Sequence, residues 1–176
     1  MMRILITGAA GAGTTTLGRA LALKMGWNFI DADDYYWLPT KPPYQAKRDH
    51  SSRLKMMLDE LNKHEYSVVA GSIMNWGSKL EDSFDLIVFL YLDKSIRVER
   101  LKIREEKELG HADPEFLKWA SEYDIGPSYG RSLTKHKKWL SERKCKIIKF
   151  EGDSAVQQRC ESLIEALPNK PSKSPL

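Results

Sequence analysis

The chain has 176 residues, 41% of them hydrophobic, enough for one domain with a three-layer core. Its formal net charge of +4 suits a small polyanionic ligand and is too weak to argue for nucleic acid. No apolar run reaches membrane-spanning length and none near the start has the length of a signal peptide. Cys145 and Cys160 lack metal or redox spacing, so a reduced, cytoplasmic protein with free core thiols is expected.

The first element is a short apolar strand, Ile4-Leu5-Ile6, running into the small-residue loop Gly8-Ala9-Ala10-Gly11-Ala12-Gly13. Thr14, Thr15 and Thr16 follow, and Leu17, Ala20 and Leu21 set a helical period over residues 15–25, with Gly26 as its stop. Strand, glycine loop and helix is the context of a phosphate-binding loop, in which main-chain N–H groups and the helix dipole face an anion. The spacing Gly8-x4-Gly13-x-Thr15 fits the Walker A pattern except at Thr14, where the pattern has the lysine that reaches the β- and γ-phosphates.

A second strand, 27–30, leads into Asp31-Ala32-Asp33-Asp34-Tyr35-Tyr36-Trp37. Carboxylates at the carboxyl end of a parallel strand stand where ligands bind; a solvated acidic turn with a helix cap is the structural alternative. Residues 38–44 carry three prolines, Pro39, Pro42 and Pro43. They predict an irregular aromatic-bearing loop, plausible as one wall of a pocket. A helix over 51–63 puts Leu54, Met57, Leu58 and Leu61 on one stripe, and a third strand, 67–70, ends at Gly71-Ser72-Ile73-Met74-Asn75-Trp76. The apolar run 84–92 reads as a central strand buried on both faces.

Residues 94–109 form a charged helix in which Arg97, Arg100 and Arg104 share a face, either salt-bridged in solvent or closing over phosphates. Helices over 115–123 and up to Leu140, a strand over 146–150 and a last helix striped by Val156, Cys160, Leu163, Ile164 and Leu167 complete an alternating α/β pattern. His50, His64, His111 and His136 form no ligand pair and read as surface or helix-face residues, and 169–176 reads as a disordered tail.

With these motifs the chain resembles P-loop small-molecule kinases of the adenylate, shikimate and gluconate kinase type, over about residues 2–168. It is also similar to a bacterial branch termed adenylate kinase-related. The resemblance implies a three-layer α/β fold with a five-stranded parallel sheet of order 2-3-1-4-5, one domain over 1–168 and a helical lid at about 97–131. It implies ATP and Mg²⁺, transfer of the γ-phosphoryl group to an unidentified small acceptor (nucleoside, nucleotide or sugar-acid-like), and a monomer or homodimer acting on neither nucleic acid nor membrane. Asp31-x-Asp33 looks like the strand-two motif of shikimate kinases, and Asp33-Asp34-Tyr35-Tyr36 is similar to a segment of uridine-kinase-like enzymes.

Residue by residue, Gly8, Ala9, Gly11, Ala12, Gly13, Thr14, Thr15 and Thr16 would hold the phosphates and Asp153 would lie at the adenine. Asp33, with Asp31 assisting, would orient or deprotonate the acceptor; Arg100 and Arg104 would neutralise developing charge; Thr15 and Asp33 would hold the metal. Asp34, Tyr35, Arg48 and Trp76 would contact the acceptor. The absent lysine leaves Arg104, Lys79 and Arg131 as cations that could take its place. Gly71-Ser72-Ile73 departs from the adenylate-kinase sequence after strand three, so those monophosphate contacts do not carry over. A nucleotide-binding regulator without catalysis, or a sulfotransferase with its Gly-Thr-Thr loop, are the alternatives.

Overall fold

The computed structural model describes residues 1–126 and 129–167. The expected tail at 169–176 and two residues of the expected lid, 127 and 128, lie outside the described residues.

Five strands, β1 (Met2–Gly8), β2 (Asn28–Asp31), β3 (Tyr66–Ala70), β4 (Leu86–Tyr91) and β5 (Lys146–Glu151), form one parallel sheet in the order β2-β3-β1-β4-β5. Around them run α1 (Thr14–Met25), α2 (Ala32–Tyr36), α3 (His50–Asn62), α4 (Ser78–Glu81), α5 (Lys94–Leu109), α6 (Pro114–Ser121), α7 (Leu133–Ser141) and α8 (Val156–Ala166). The two short helices, α2 and α4, do not follow from hydrophobic period, because neither is long enough to show one.

The strand period of two divides the core. Ile4, Ile6, Val68, Val88 and Leu90 turn to one face, against Leu17 and Leu21 of α1 and Cys160 and Leu163 of α8. Leu5, Val69, Ile87 and Phe89 turn to the other, against Met57 and Leu61 of α3, Leu80 of α4 and Trp139 and Leu140 of α7. The central strands are thus covered on both faces, which is why β4 reads as continuous apolar sequence. Burying each such side chain contributes about 1.5–3 kcal/mol, so the sheet is a rigid platform. All strands point the same way, and the loops after β1, β2 and β3 therefore emerge together at its carboxyl edge.

Two readings of single residues are corrected here. His136 is no surface residue: it is fully buried, its Nδ1 is 2.6 Å from the Tyr123 hydroxyl, and burial pushes it down to about 3. Both cysteines are free, but only Cys160 is buried; Cys145 is half-buried beside the second core face.

Candidate active site

The loop after β1 keeps its expected shape. Gly8 ends the strand against Leu90, and Ala9 and Ala12 pack inward. Gly11 lies at φ 81, and a β-carbon there would come within 2.6 Å of the Arg97 carbonyl oxygen, so only glycine lets the loop seat on the first turn of α5. Gly13, at φ 91, is the N-cap of α1 and offers no side-chain acceptor. The Leu17 amide donates to the Gly13 carbonyl, while those of Thr14, Thr15 and Thr16 have no acceptor among the described residues. These are the donors an anion takes at a helix N-terminus, strengthened by the dipole. Thr14 and Thr15 are half-exposed and Thr16 is exposed, so the cradle is open.

The acidic end of β2 meets the start of α1 where Thr15 Oγ1 donates to Asp31 Oδ2 at 3.3 Å. Asp31 also caps α2, its Oδ1 accepting from the Asp33 amide at 3.1 Å. Asp31, rather than the expected Asp33, is therefore the carboxylate beside the threonine hydroxyl. A hydroxyl and a carboxylate oxygen at this spacing are hard donors of the kind Mg²⁺ takes along with phosphate oxygens, so the residues fit that ion.

Asp33 stands two residues further, in the first turn of α2, open to solvent on one side with protein packed around the other. Burial raises its carboxyl above the usual range; Arg131 opposes this, Asp31 adds to it, and Arg104 opposes it again. Asp34 is raised too, by burial and then by Asp31. A carboxylate held less acidic than usual and faced by guanidinium groups is what a general base beside a transferring phosphoryl group needs.

The remaining predicted residues divide. Asp33, Asp34 and Arg48 line a hollow of about 320 Å³ together with Trp37, Pro39 and Tyr44. Arg48 donates Nε to the Tyr35 carbonyl at 3.1 Å and Nη2 to the Trp37 carbonyl at 3.5 Å, so its charge braces the wall. Tyr35 and Trp76 do not fit direct contact with an acceptor. Tyr35 packs on the second core face, its hydroxyl near Glu60 of α3 and Lys63 just after it. Trp76 is 1% exposed and stacks beneath Tyr36, with the Arg53 guanidinium 4.8 Å and 5.1 Å from the two ring centres. Trp37 and Tyr44 were missed as individual site residues, although the proline-rich loop that carries them was legible. Tyr44 adopts φ 65, a conformation that costs a non-glycine residue about 1–3 kcal/mol, and it sits edge-on to Trp37 at 5.9 Å while half-exposed.

The three arginines of α5 have three different surroundings. Arg97 is fully buried, donating to the Leu92 carbonyl at 2.8 Å, the Ala120 carbonyl at 3.1 Å and Asp124 Oδ2 at 2.8 Å. It ties α5 to α6 and is not a phosphate ligand, which corrects the shared-face reading. Arg100 pairs through Nη2 with Asp153 Oδ1 at 2.6 Å, beside the loop after β5. Arg104 is exposed and turned toward Asp33 and Tyr44. Lys79 is exposed on α4. A second hollow of about 350 Å³, among Phe89, Tyr91, Leu133, Lys137, Lys149 and Glu151, holds none of the predicted site residues.

Known proteins are similar to this chain in sequence and in fold. A family model described as "AAA domain" matches residues 4–116. An uncharacterized protein, YqaC of Bacillus subtilis, is 34% identical over 92% of this chain and 95% of its own length. A shikimate kinase of Bacteroides fragilis is 30% identical over 66% of this chain and 73% of its own, and a probable gluconokinase of Xenopus tropicalis is 29% identical over 66% and 74%. Among solved structures, shikimate kinase from Acinetobacter baumannii in complex with shikimate superposes with TM-score 0.60 at 18% identity, over 94% of this chain and 92% of that one. Deoxyadenosine kinase from M. mycoides with bound dATP gives 0.61 at 13%, over 94% and 98%. The chain belongs to the AAA domain family, among its P-loop small-molecule kinases.

Proposed function

We propose that the protein is a phosphotransferase that moves the γ-phosphoryl group of ATP to a small acceptor held beside Asp33. The observation that carries this reading is the Thr15–Asp31 contact at the open cradle, with Asp33 two residues along the chain and faced by Arg104 and Arg131. The free amides of Thr14 to Thr16 bind the phosphates, and Thr15 and Asp31, with Asp33 nearby, hold Mg²⁺, which neutralises phosphate charge when bound. Asp33 accepts the proton of the acceptor hydroxyl, Asp34 holds the acceptor in the hollow, and Arg100 and Arg104 face the charge spread over the transferring group. Trp37 and Tyr44, edge-on to each other, supply an aromatic wall that keeps water from the attacking oxygen. Asp153, already paired with Arg100, marks the side on which the adenine lies.

The relatives named as a shikimate kinase and a probable gluconokinase support a small-molecule acceptor. A screen with γ-labelled ATP over nucleosides, nucleoside monophosphates and sugar acids tests the reading. Transfer to one class, abolished in Asp33→Asn with ATP binding retained, is the expected result. Tight Mg-ATP binding with no transfer to any class would leave a nucleotide-binding regulator instead.

A further inference from the structure

The P-loop lysine is replaced by Thr14, and a hydroxyl supplies one neutral hydrogen bond where a phosphate-bridging cation is needed. The cations suggested by sequence, Arg104, Lys79 and Arg131, stand on α5, on α4 and just before α7. None of their atoms lies within 4 Å of the β-carbon position at Gly13. We infer that Arg100 takes the place of the missing lysine, its guanidinium bridging the β- and γ-phosphates over Gly13. This rests on the phosphotransferase reading above and names the group that completes its phosphate site.

Three observations carry it. A β-carbon placed on Gly13 would have a single neighbour within 4 Å among the described residues, Nη1 of Arg100 at 4.0 Å. The α5 helix is seated on the loop itself: a β-carbon on Gly11 would meet the Arg97 carbonyl oxygen at 2.6 Å and Leu101 Cγ at 3.1 Å. Residue 100 lies between those two contacts, so the helix holds it at the loop whatever the rest of the lid does. Third, the two ends of the guanidinium have separate partners. Nη2 is tied to Asp153 Oδ1 at 2.6 Å, which leaves Nη1 on the side of the loop. A planar fork anchored at one nitrogen loses little freedom when the other binds phosphate, and arginine suits phosphate oxygens at least as well as lysine. In the usual arrangement the cation rises from the first turn of the helix that follows the loop; here it descends from the neighbouring helix, and Thr14 leaves room for it.

The test is a comparison of nucleotides and a rescue. Dissociation constants of Mg-ATP, Mg-ADP and adenosine are measured for the wild type, Arg100→Ala, Arg100→Lys and the pair Arg100→Ala with Thr14→Lys, with the thermal midpoint of each as the folding control. Arg100→Ala should weaken ATP by about 10–100-fold, as expected for loss of a charged hydrogen bond, weaken ADP less, and leave adenosine within about twofold. Arg100→Lys should keep part of the ATP affinity, and Thr14→Lys should restore it in the Arg100→Ala background. Equal losses for ATP and adenosine would make Arg100 an adenine contact and overturn the inference. So would a folded double variant without rescue. A wild type that binds adenosine and ADP but gains nothing from the γ-phosphate also removes it, whereas a wild type that binds no nucleotide removes the phosphotransferase reading as well.

Discussion

The loop at Gly8–Thr16, whose end meets Asp31 through Thr15, and the strap from Trp37 to Arg48, which shares a hollow with Asp33, are built on opposite principles. The loop is made of small residues, uses main-chain donors, and meets its left-handed positions with Gly11 and Gly13. Behind it, the first turn of α5 is seated on Gly11, and the buried Arg97 side chain ties that helix to α6. The strap is made of prolines and exposed rings, carries few main-chain bonds, and places Tyr44 at φ 65 without a glycine to relieve it. A loop that must grip a common phosphate can be generic and rigid. A wall that must recognise one acceptor has to display side chains, and it tolerates strain to do so.

The largest effect is expected from behind the loop. Arg97→Ala removes the buried partner of Asp124 and three hydrogen bonds, and should cost about 3–5 kcal/mol, read as a lower denaturant midpoint with nucleotide binding lost in parallel. At the junction of the two regions, Asp33→Asn should lower kcat by about 10²–10⁴ while leaving the ATP dissociation constant within a small factor. Because burial raises the Asp33 carboxyl, the acid limb of the wild-type rate profile should lie above the ordinary carboxylate range near 3.8 and rise with pH as the base is freed.

Near Arg131, the buried His136 gives a stability signature. Its folded value of about 3 lies below the ordinary 6.5, so the unfolded chain takes the proton first. That contribution is complete above pH 6.5 and should fade by about 1.4 kcal/mol per pH unit as the pH drops toward 3. Chemical denaturation across this window checks it, and His136→Gln should flatten the slope. On the strap, Tyr44→Gly should raise stability by up to about 1 kcal/mol through relief of the left-handed position, while weakening acceptor binding; a loss of stability would mean that the ring is a structural prop. The smallest effect is expected from Thr14→Lys alone, which should change turnover within about threefold because Arg100 already fills the role. A hundredfold gain would show that the loop lacks a cation.

Much of the loop was legible because its determinants are local. Gly8, Gly11, Gly13 and Thr15 at fixed spacing, between an apolar strand and a helical period, define a backbone conformation with few alternatives. The caps of α5 and α6 are equally local, Asp93 and Asp113 each accepting from the amide two residues on. The strap was legible only as a proline-rich segment, since which of its rings reaches the hollow depends on how α3 and α5 stand across from it. Trp76 and Tyr35 illustrate the same limit: aromatic residues after strands suggest a ligand wall, yet packing against Arg53 and α3 turned them inward.

The one-dimensional pattern determined the alternation of strands and helices, the buried stripes, the phosphate loop and the acidic end of β2, because each of these is set by interactions within a few residues. The tertiary structure alone decided that Asp31 meets Thr15, that Arg97 is a buried tie, Arg100 a neighbour of Gly13 and Arg104 a face of the cleft, and that His136 is sealed against Tyr123. A helical period fixes the direction of a side chain around its axis. What waits in that direction is supplied by distant parts of the chain, and along α5 it changes from the core to the loop to the open cleft within two turns.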